Sequence, residues 1–200
     1  MYRLFYDYHT IGDILMIVFN NQKQANRTER RNRTVAIYAG DEIIGANLLN
    51  ISEIVRIKAR GMIINPALEF IDVVNHILIN DGLDPLPLQE GSGFVAGQII
   101  EYIKSEDGAV TLAKIDIGSR VIYTRSPNDS SPLFSLVVIA LPDTILFNGK
   151  TAAVEEIKGV YCEGHLCTYQ DLNLANDKQR DDVYLIADFI EIGQDFYAKE

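Results

Sequence analysis

The sequence predicts two folded parts, a small N-terminal α+β domain and a C-terminal all-β domain built as a five-stranded barrel. Three observations lead to this fold class. Short runs of apolar and β-branched residues, typical of strands, recur through both halves of the chain. Only one segment has a long helical pattern, and a stretch rich in proline and glycine lies between the halves. We therefore place the first domain at 1–82, a linker at 83–92 and the second domain, with a C-terminal extension, at 93–200.

The first domain is predicted to be a β-meander covered by one helix. Its candidate strands are β-branched or alternating apolar runs that are separated by short polar stretches. A sheet of this kind buries one face against another element, which here is the single helix. The predicted strands lie at 2–8, 12–19, 33–39 and 42–49.

The segment NPALEFIDVVNHILINDG predicts that helix. Asn65 suits the N-cap, Pro66 the first helical position, and Gly82 the left-handed residue that ends a helix. Apolar residues spaced by three or four form the stripe that we expect to face the sheet: Leu68, Ile71, Val74 and Leu78.

The second domain contains five further apolar runs and no long helical pattern. These runs read FVAGQIIEYI, AVTLAKIDIG, RVIYTR, LFSLVVIAL and TAAVEEIKGV. Five short strands of this kind indicate a small barrel of the oligonucleotide/oligosaccharide-binding (OB) type, and a five-stranded sandwich is the alternative.

Charge argues against non-specific adhesion to phosphate backbones or anionic membranes. The 200 residues carry a formal net charge of −10, from 18 basic and 28 acidic side chains. Any affinity for nucleic acid must therefore be local.

No apolar run reaches the roughly 20 residues that cross a bilayer. The N-terminus lacks the basic start and cleavage site of a signal peptide, so we expect a cytoplasmic protein with reduced thiols.

Both cysteines lie in one loop, GVYCEGHLCTYQDLNL, with a histidine between them. Cys162, His165 and Cys167 offer at most three ligands, whereas a structural zinc site takes four. A redox pair has two intervening residues, and this pair has four. We expect no metal and no cofactor, and Cys167 is expected to be a small buried hydrophobe.

The stretch IKGVYCEGHLCTYQDLNL resembles the signature of the tRNA-binding OB domain found in stand-alone tRNA-binding proteins, in the EMAP II cytokine and in some methionyl- and phenylalanyl-tRNA synthetase chains. At three signature positions this chain has a similar residue: Lys158 where the signature has arginine, Thr168 where it has serine and Asp171 where it has glutamate. Direct matches occur at Gly159, Val160, Gly164, Cys167, Leu172 and Leu174.

The order of the whole chain, with an aromatic-rich first strand, GDILMIVF, a linker and then this domain, is similar to the YtpR-like tRNA-binding proteins of Firmicutes. The resemblance implies a non-enzymatic protein that recognises tRNA, or another folded RNA, by shape and backbone contacts. No nucleophile stands beside a base in any recognisable spacing, which also speaks against an enzyme.

Eight residues are predicted to contact RNA. The basic side chains are expected to contact phosphates, Asn128 and Thr168 can donate hydrogen bonds, and a base can stack on the ring of Tyr123. Three arginines come from the basic stretch 23–33. This stretch either forms a hairpin whose charges lie in water, or it extends the RNA-binding surface onto the first domain. The full set is Lys158, Arg125, Asn128, Thr168, Tyr123, Arg30, Arg31 and Arg33.

A protein-interaction or oligomerisation module that kept the fold and lost the RNA site is the alternative, with a homodimer as one form of it. The first loop of the resembled family carries a lysine on the RNA side, whereas this loop reads SEDGAV with Ala109 near that position. In a later strand the customary lysine is replaced by Leu141, and Cys162 replaces a serine. Fewer basic contacts mean fewer released counterions and weaker binding.

Overall fold

A computed structural model describes residues 1–105, 108–174 and 180–198. The chain divides into two units, Met1–Gln89 and Glu90–Glu200, each with its own hydrophobic core. They are called the first and the second unit below. Within the described ranges, no helix has the length and apolar character needed to span a membrane.

The first unit is built on a six-stranded antiparallel sheet in the order β3-β4-β5-β2-β1-β6. A four-residue helix α1, Tyr8–Ile11, connects the first two strands. Alternate residues of the central strands are buried, as expected for a sheet with one covered face. The strands are β1 (Arg3–Tyr6), β2 (Ile14–Val18), β3 (Arg27–Arg31), β4 (Thr34–Ala39), β5 (Glu42–Leu49) and β6 (Gly61–Ile63).

Helix α2, Leu68–Asn80, supplies the cover, but it starts later than the sequence predicts. The N-cap is Ala67, and the prediction of Asn65 is wrong because Asn65 has a left-handed φ of 47°. The predicted residues Val74 and Leu78 are buried together with Ile77, and Ile71 is partly buried on the same core. Leu68, now the first helical residue, is 69% exposed. Gly82 has a φ of 72°, as predicted for the residue that ends the helix.

Part of the predicted linker packs on the first unit. Leu83 and Leu86 belong to the same core as the sheet and α2. The backbone N–H of Leu86 donates to Oδ1 of Asn75 at 2.7 Å. The predicted linker therefore contains two ordinary core positions, which its proline- and glycine-rich composition did not reveal.

The second unit is a nearly closed antiparallel barrel, which confirms the predicted OB-type fold. Its strand order is β13-β10-β7-β8-β9. The two edge strands approach each other, because Oγ1 of Thr124 on β9 donates to the carbonyl of Gly164, just before β13, at 3.3 Å. The inward residues form one apolar core. The strands are β7 (Phe94–Lys104), β8 (Thr111–Asp116), β9 (Val121–Ser126), β10 (Leu136–Ala140) and β13 (His165–Leu166).

The fifth barrel strand is not the run that the sequence indicates. That run forms β11 (Val154–Ile157), which pairs outside the barrel with β12 (Val160–Glu163). The reason is a two-residue turn: Lys158 and Gly159 have φ values of 49° and 81°, as in a type I′ hairpin. The barrel is closed instead by β13, only two residues long.

The C-terminal segment adds backbone hydrogen bonds to the first residues of two barrel strands. The N–H of Ile186 donates to the carbonyl oxygen of Leu136 in β10, and the N–H of Phe196 donates to the carbonyl oxygen of Phe94 in β7. Aromatic rings from this segment and the barrel meet edge to face or tilted, which suits their quadrupoles. The cluster comprises Phe94, Phe147, Tyr169, Tyr184, Phe196 and Tyr197.

Replacing Gly164 by alanine should destabilise the second unit more than replacing Gly149. Both glycines have left-handed φ values, 77° and 83°, so each change carries about 1–2 kcal/mol of backbone strain. At Gly164 a Cβ would also lie 2.8 Å from the carbonyl oxygen of Ala140, whereas at Gly149 no described atom comes within 4 Å.

Urea unfolding of Gly164→Ala and Gly149→Ala, followed by far-UV circular dichroism, measures the difference. Equal midpoints for the two variants would contradict the close approach of β13 to β10.

Candidate nucleic-acid interface

The hairpin β11–β12 packs across the outer face of the barrel strands β8 and β9, the second and third strands of the barrel. Leu112 points outward from β8 and is buried against Ile157 and Cys162 of the hairpin. Partly buried neighbours complete this second small core: Ile103, Val110, Tyr123 and Val160. OB proteins bind oligonucleotides on the face of their second and third strands and in the adjoining loops. The hairpin therefore covers part of that face.

A groove of about 470 Å³ lies between the hairpin and the ends of β7 and β8. It is flanked by the first barrel loop and by the long connection that contains the hairpin, which are the two loops that bind ligands in OB folds. Its walls are aliphatic apart from two exposed lysines and one serine. The lining is Ile103, Lys104, Ser105, Val110, Leu112, Ile157, Lys158 and Val160.

Lys158 reaches the groove because of the hairpin turn. Its left-handed φ of 49° and the following Gly159 set the tip of the hairpin, and its side chain is exposed there. The structure thus places the predicted contact Lys158 in the lining of an apolar concavity. Sequence reasoning found this residue through the signature and missed the turn that positions it.

Lys104 is a second cation of the groove, and sequence reasoning did not select it. It ends β7, and its Nζ lies 2.7 Å from Oδ2 of Asp129. The hydrogen bond and charge of Lys104 hold the pKa of the Asp129 carboxyl below its usual range. Both side chains are exposed, and exposed pairs of this kind contribute little to stability. A phosphate can therefore replace this carboxylate at small cost.

Arg125 and Tyr123 lie on β9, next to the groove. Arg125 is opposite Leu112 in the strand register, and its Nε lies 3.6 Å from Oε1 of Glu155 on the hairpin. Tyr123 is half-buried, with its ring against the small core beneath the hairpin. The structure therefore places Arg125 at the side of the groove and gives Tyr123 a packing contact.

Asn128 shapes the loop that follows β9. Its Oδ1 accepts from the N–H of Ser130 at 3.0 Å and from the Ser130 hydroxyl at 2.5 Å. Its carbonyl accepts from the hydroxyl of Ser126. These bonds form a local Asx-type turn, so the acceptor atoms of Asn128 serve the backbone.

Thr168 belongs to a hydrogen-bond network around the buried carboxylate of Asp171. Its N–H and hydroxyl donate to Oδ2 of Asp171 at 2.9 Å and 2.8 Å. His165 Nε2 lies 2.8 Å from the same oxygen, and Asn148 donates to Oδ1 at 2.6 Å. Burial alone raises the pKa of Asp171, but these bonds outweigh it and lower the pKa to about 2. The hydroxyl of Thr168 is thus directed into the protein.

The predicted arginines of the first unit engage neighbouring groups. Arg31 donates to Oε1 of Glu29 at 2.8 Å and to the carbonyl of Gly82 at 2.7 Å. Arg33 donates to Oε2 of Glu53 at 2.7 Å. These contacts tie the turn between β3 and β4 to the end of helix α2 and to the segment that follows β5.

Arg30 is the exception among these three arginines. It is exposed, and its Nε donates only a long bond of 3.3 Å to the carbonyl of Asn32 in the same turn. A cation held this loosely can adapt to a ligand with little loss of internal contacts.

Both cysteines are buried free thiols. Burial raises the pKa of the Cys167 thiol and, less strongly, that of Cys162. Raised values disfavour the thiolate that binds metals and attacks disulfides. In the described part of the chain, no three histidine, cysteine or acidic side chains are grouped to hold a metal ion.

The chain matches no protein-family model, but it is similar to parts of phenylalanine–tRNA ligase beta subunits. The identity is 27% over 108 residues for Thermotoga maritima, 29% over 119 for Buchnera aphidicola and 30% over 101 for Paramagnetospirillum magneticum. These matches cover 54%, 56% and 48% of this chain, but only 14%, 15% and 12% of the subunits. The similarity is thus a weak homology to a small part of a tRNA ligase subunit.

Asp171→Asn should destabilise the second unit at neutral pH by about 2 kcal/mol, because hydrogen bonds to an ionised group are worth roughly 1.5–3 kcal/mol. The pKa of Asp171 is lowered in the folded state to about 2 from 3.8. Its contribution is therefore complete above about pH 4 and is lost as pH falls towards 2.

Thermal unfolding of Asp171→Asn and of the exposed control Asp188→Asn, at pH 7 and at pH 2.5, tests this sign. The difference in unfolding temperature between Asp171→Asn and the unmodified protein should be smaller at pH 2.5 than at pH 7. A gap of the same size at both values would show that the charge of Asp171 is not what stabilises the loop.

Proposed function

We propose that the second unit binds tRNA, or another folded RNA, through its groove, as a non-enzymatic binding protein. The observation that carries this proposal is the position of Lys104 and Lys158 in one concavity between the two ligand-binding loops of an OB-type barrel. The weak homology to phenylalanine–tRNA ligase beta subunits supports tRNA as the RNA. In its more specific form, the proposal is that the protein is a YtpR-like stand-alone tRNA-binding protein that acts in the cytoplasm.

Affinity in this proposal comes from few phosphate contacts. Each neutralised phosphate releases condensed counterions, so binding weakens as salt rises. With a net charge of −10 the chain as a whole repels RNA, and only the local arrangement of lysines opposes that repulsion. Binding is therefore expected to be strong only at low salt, unless other contacts add to those of the groove.

Loss of RNA binding, with retention of a protein-interaction surface, is the second candidate function. Two observations favour it. The hairpin covers part of the OB face and half-buries Tyr123. Arg31, Arg33 and Arg125 each lie in an ion pair with a carboxylate. On this account the protein binds a protein partner or a second copy of itself.

Lys158→Asn should weaken tRNA binding and reduce the slope of log K against log salt by about one unit. Asparagine removes the charge and suits the left-handed position before Gly159, so the turn is preserved. The control is Lys150→Asn, which removes the same charge from an exposed lysine of the same unit outside the groove.

The measurement is fluorescence anisotropy of labelled bulk tRNA over a range of salt, with circular dichroism to confirm folding. Equal slopes for the two variants would exclude Lys158 as a phosphate contact. No affinity of the unmodified protein even at low salt would favour the interaction module, which sedimentation equilibrium then tests for self-association.

A further inference from the structure

The shape of the groove limits what part of an RNA it accepts. A volume of about 470 Å³ lies in the range of small-molecule pockets, roughly 300–1,000 Å³. It is far too small for a double-helical segment. In an A-form helix the bases are paired and stacked, so their flat faces are not accessible, and a protein meets phosphates, 2′-hydroxyls and the base edges of the minor groove.

The aliphatic lining adds a second constraint. Five of the eight lining residues have side chains without any polar atom: Ile103, Val110, Leu112, Ile157 and Val160. Such walls gain nothing from a phosphate or a sugar hydroxyl, because burying a polar group without a hydrogen bond costs free energy. They gain from the flat apolar face of a base, whose edge remains directed to solvent.

We infer, on the basis of the proposed function, that the groove takes one unpaired nucleotide of an RNA, with its base against the aliphatic walls and its flanking phosphates at Lys104 and Lys158. Charge complementarity selects this occupant over an apolar peptide side chain, because cations flank the apolar walls. Single-stranded loops, bulges and ends supply such nucleotides, since their bases can be splayed out.

The walls also determine the selectivity. The aliphatic side chains of the described lining present no donor or acceptor to a base edge, and base identity is read through hydrogen bonds to those edges. The charged ends of Lys104 and Lys158 are assigned to the flanking phosphates. The groove therefore distinguishes unpaired from paired nucleotides without a strong preference among the four bases. Only Ser105, at the end of β7, brings a polar uncharged side chain to the lining.

The test compares two RNAs that carry the same number of phosphates. One is a blunt duplex, and the other is a duplex about three base pairs shorter with a three-nucleotide 3′ overhang on each strand. Anisotropy at low salt should show about tenfold tighter binding of the overhang RNA, the size expected from removing one apolar face of a base from water.

Two variants on the hairpin locate the effect. Val160→Phe fills the groove with a residue that strands accept, and it should remove the advantage of the overhang RNA over the blunt duplex. Val154→Phe adds the same ring to an exposed position of the same hairpin outside the groove, and it should leave the advantage intact. Lys158→Asn should weaken binding of both RNAs, since phosphates are common to them.

The comparison of the two RNAs with the unmodified protein decides the inference even if a variant folds poorly. Equal affinity for both RNAs, with salt-dependent binding intact, overturns the inference and leaves the proposed function standing. No binding of either RNA at low salt overturns both. Loss of the advantage in Val154→Phe as well as in Val160→Phe would place the nucleotide elsewhere on the hairpin and also overturn the inference.

Discussion

The burial of Ile157 and Cys162 against Leu112 is the contact on which the candidate site depends. It is the apolar contact that holds the hairpin β11–β12 on the barrel, beside the ion pairs of Arg120 with Glu163 and of Arg125 with Glu155, and it keeps Lys158 in one groove with Lys104. Cys162 stands where the resembled signature has serine, and it is almost fully buried. A thiol behaves as a small hydrophobe, whereas a serine hydroxyl at this position would need a hydrogen-bond partner. This departure from the signature therefore strengthens the apolar contact beneath the hairpin.

Charge alone did not indicate which cations are available to a ligand. Within the basic stretch 23–33, Arg31 is engaged inside the first unit, since it donates to Glu29 on its own strand and to the carbonyl of Gly82 after helix α2. The groove lysines stand out less in the sequence, since each is one cation among acidic neighbours. Their value comes from position, because a charge beside a low-dielectric wall acts more strongly on a ligand than one surrounded by water.

Periodicity predicted four barrel strands and the covering helix correctly, and it failed where local backbone geometry decides. The run before Lys158 alternates like a barrel strand, but the two left-handed residues at 158 and 159 turn it back as a hairpin. The helix begins late because Asn65 is left-handed, which a propensity argument does not detect. Thr168 was predicted to face RNA, although a Thr-x-x-Asp spacing already indicates the reciprocal bonds that it makes with Asp171. Lys104 was not selected from the sequence, because it shares a groove with Lys158 only after the hairpin β11–β12 has folded onto the barrel.

The same hairpin that builds the groove also restricts recognition to it. An OB protein that binds through an open strand face uses several aromatic platforms, and here the ring of Tyr123 is already half-buried beneath the hairpin. What remains is one small concavity with aliphatic walls and two cations, which reads neither base identity nor a long stretch of strand. If the proposed function holds, selectivity among RNAs therefore has to come from where a folded RNA places its phosphates and its unpaired nucleotides, which is recognition by shape.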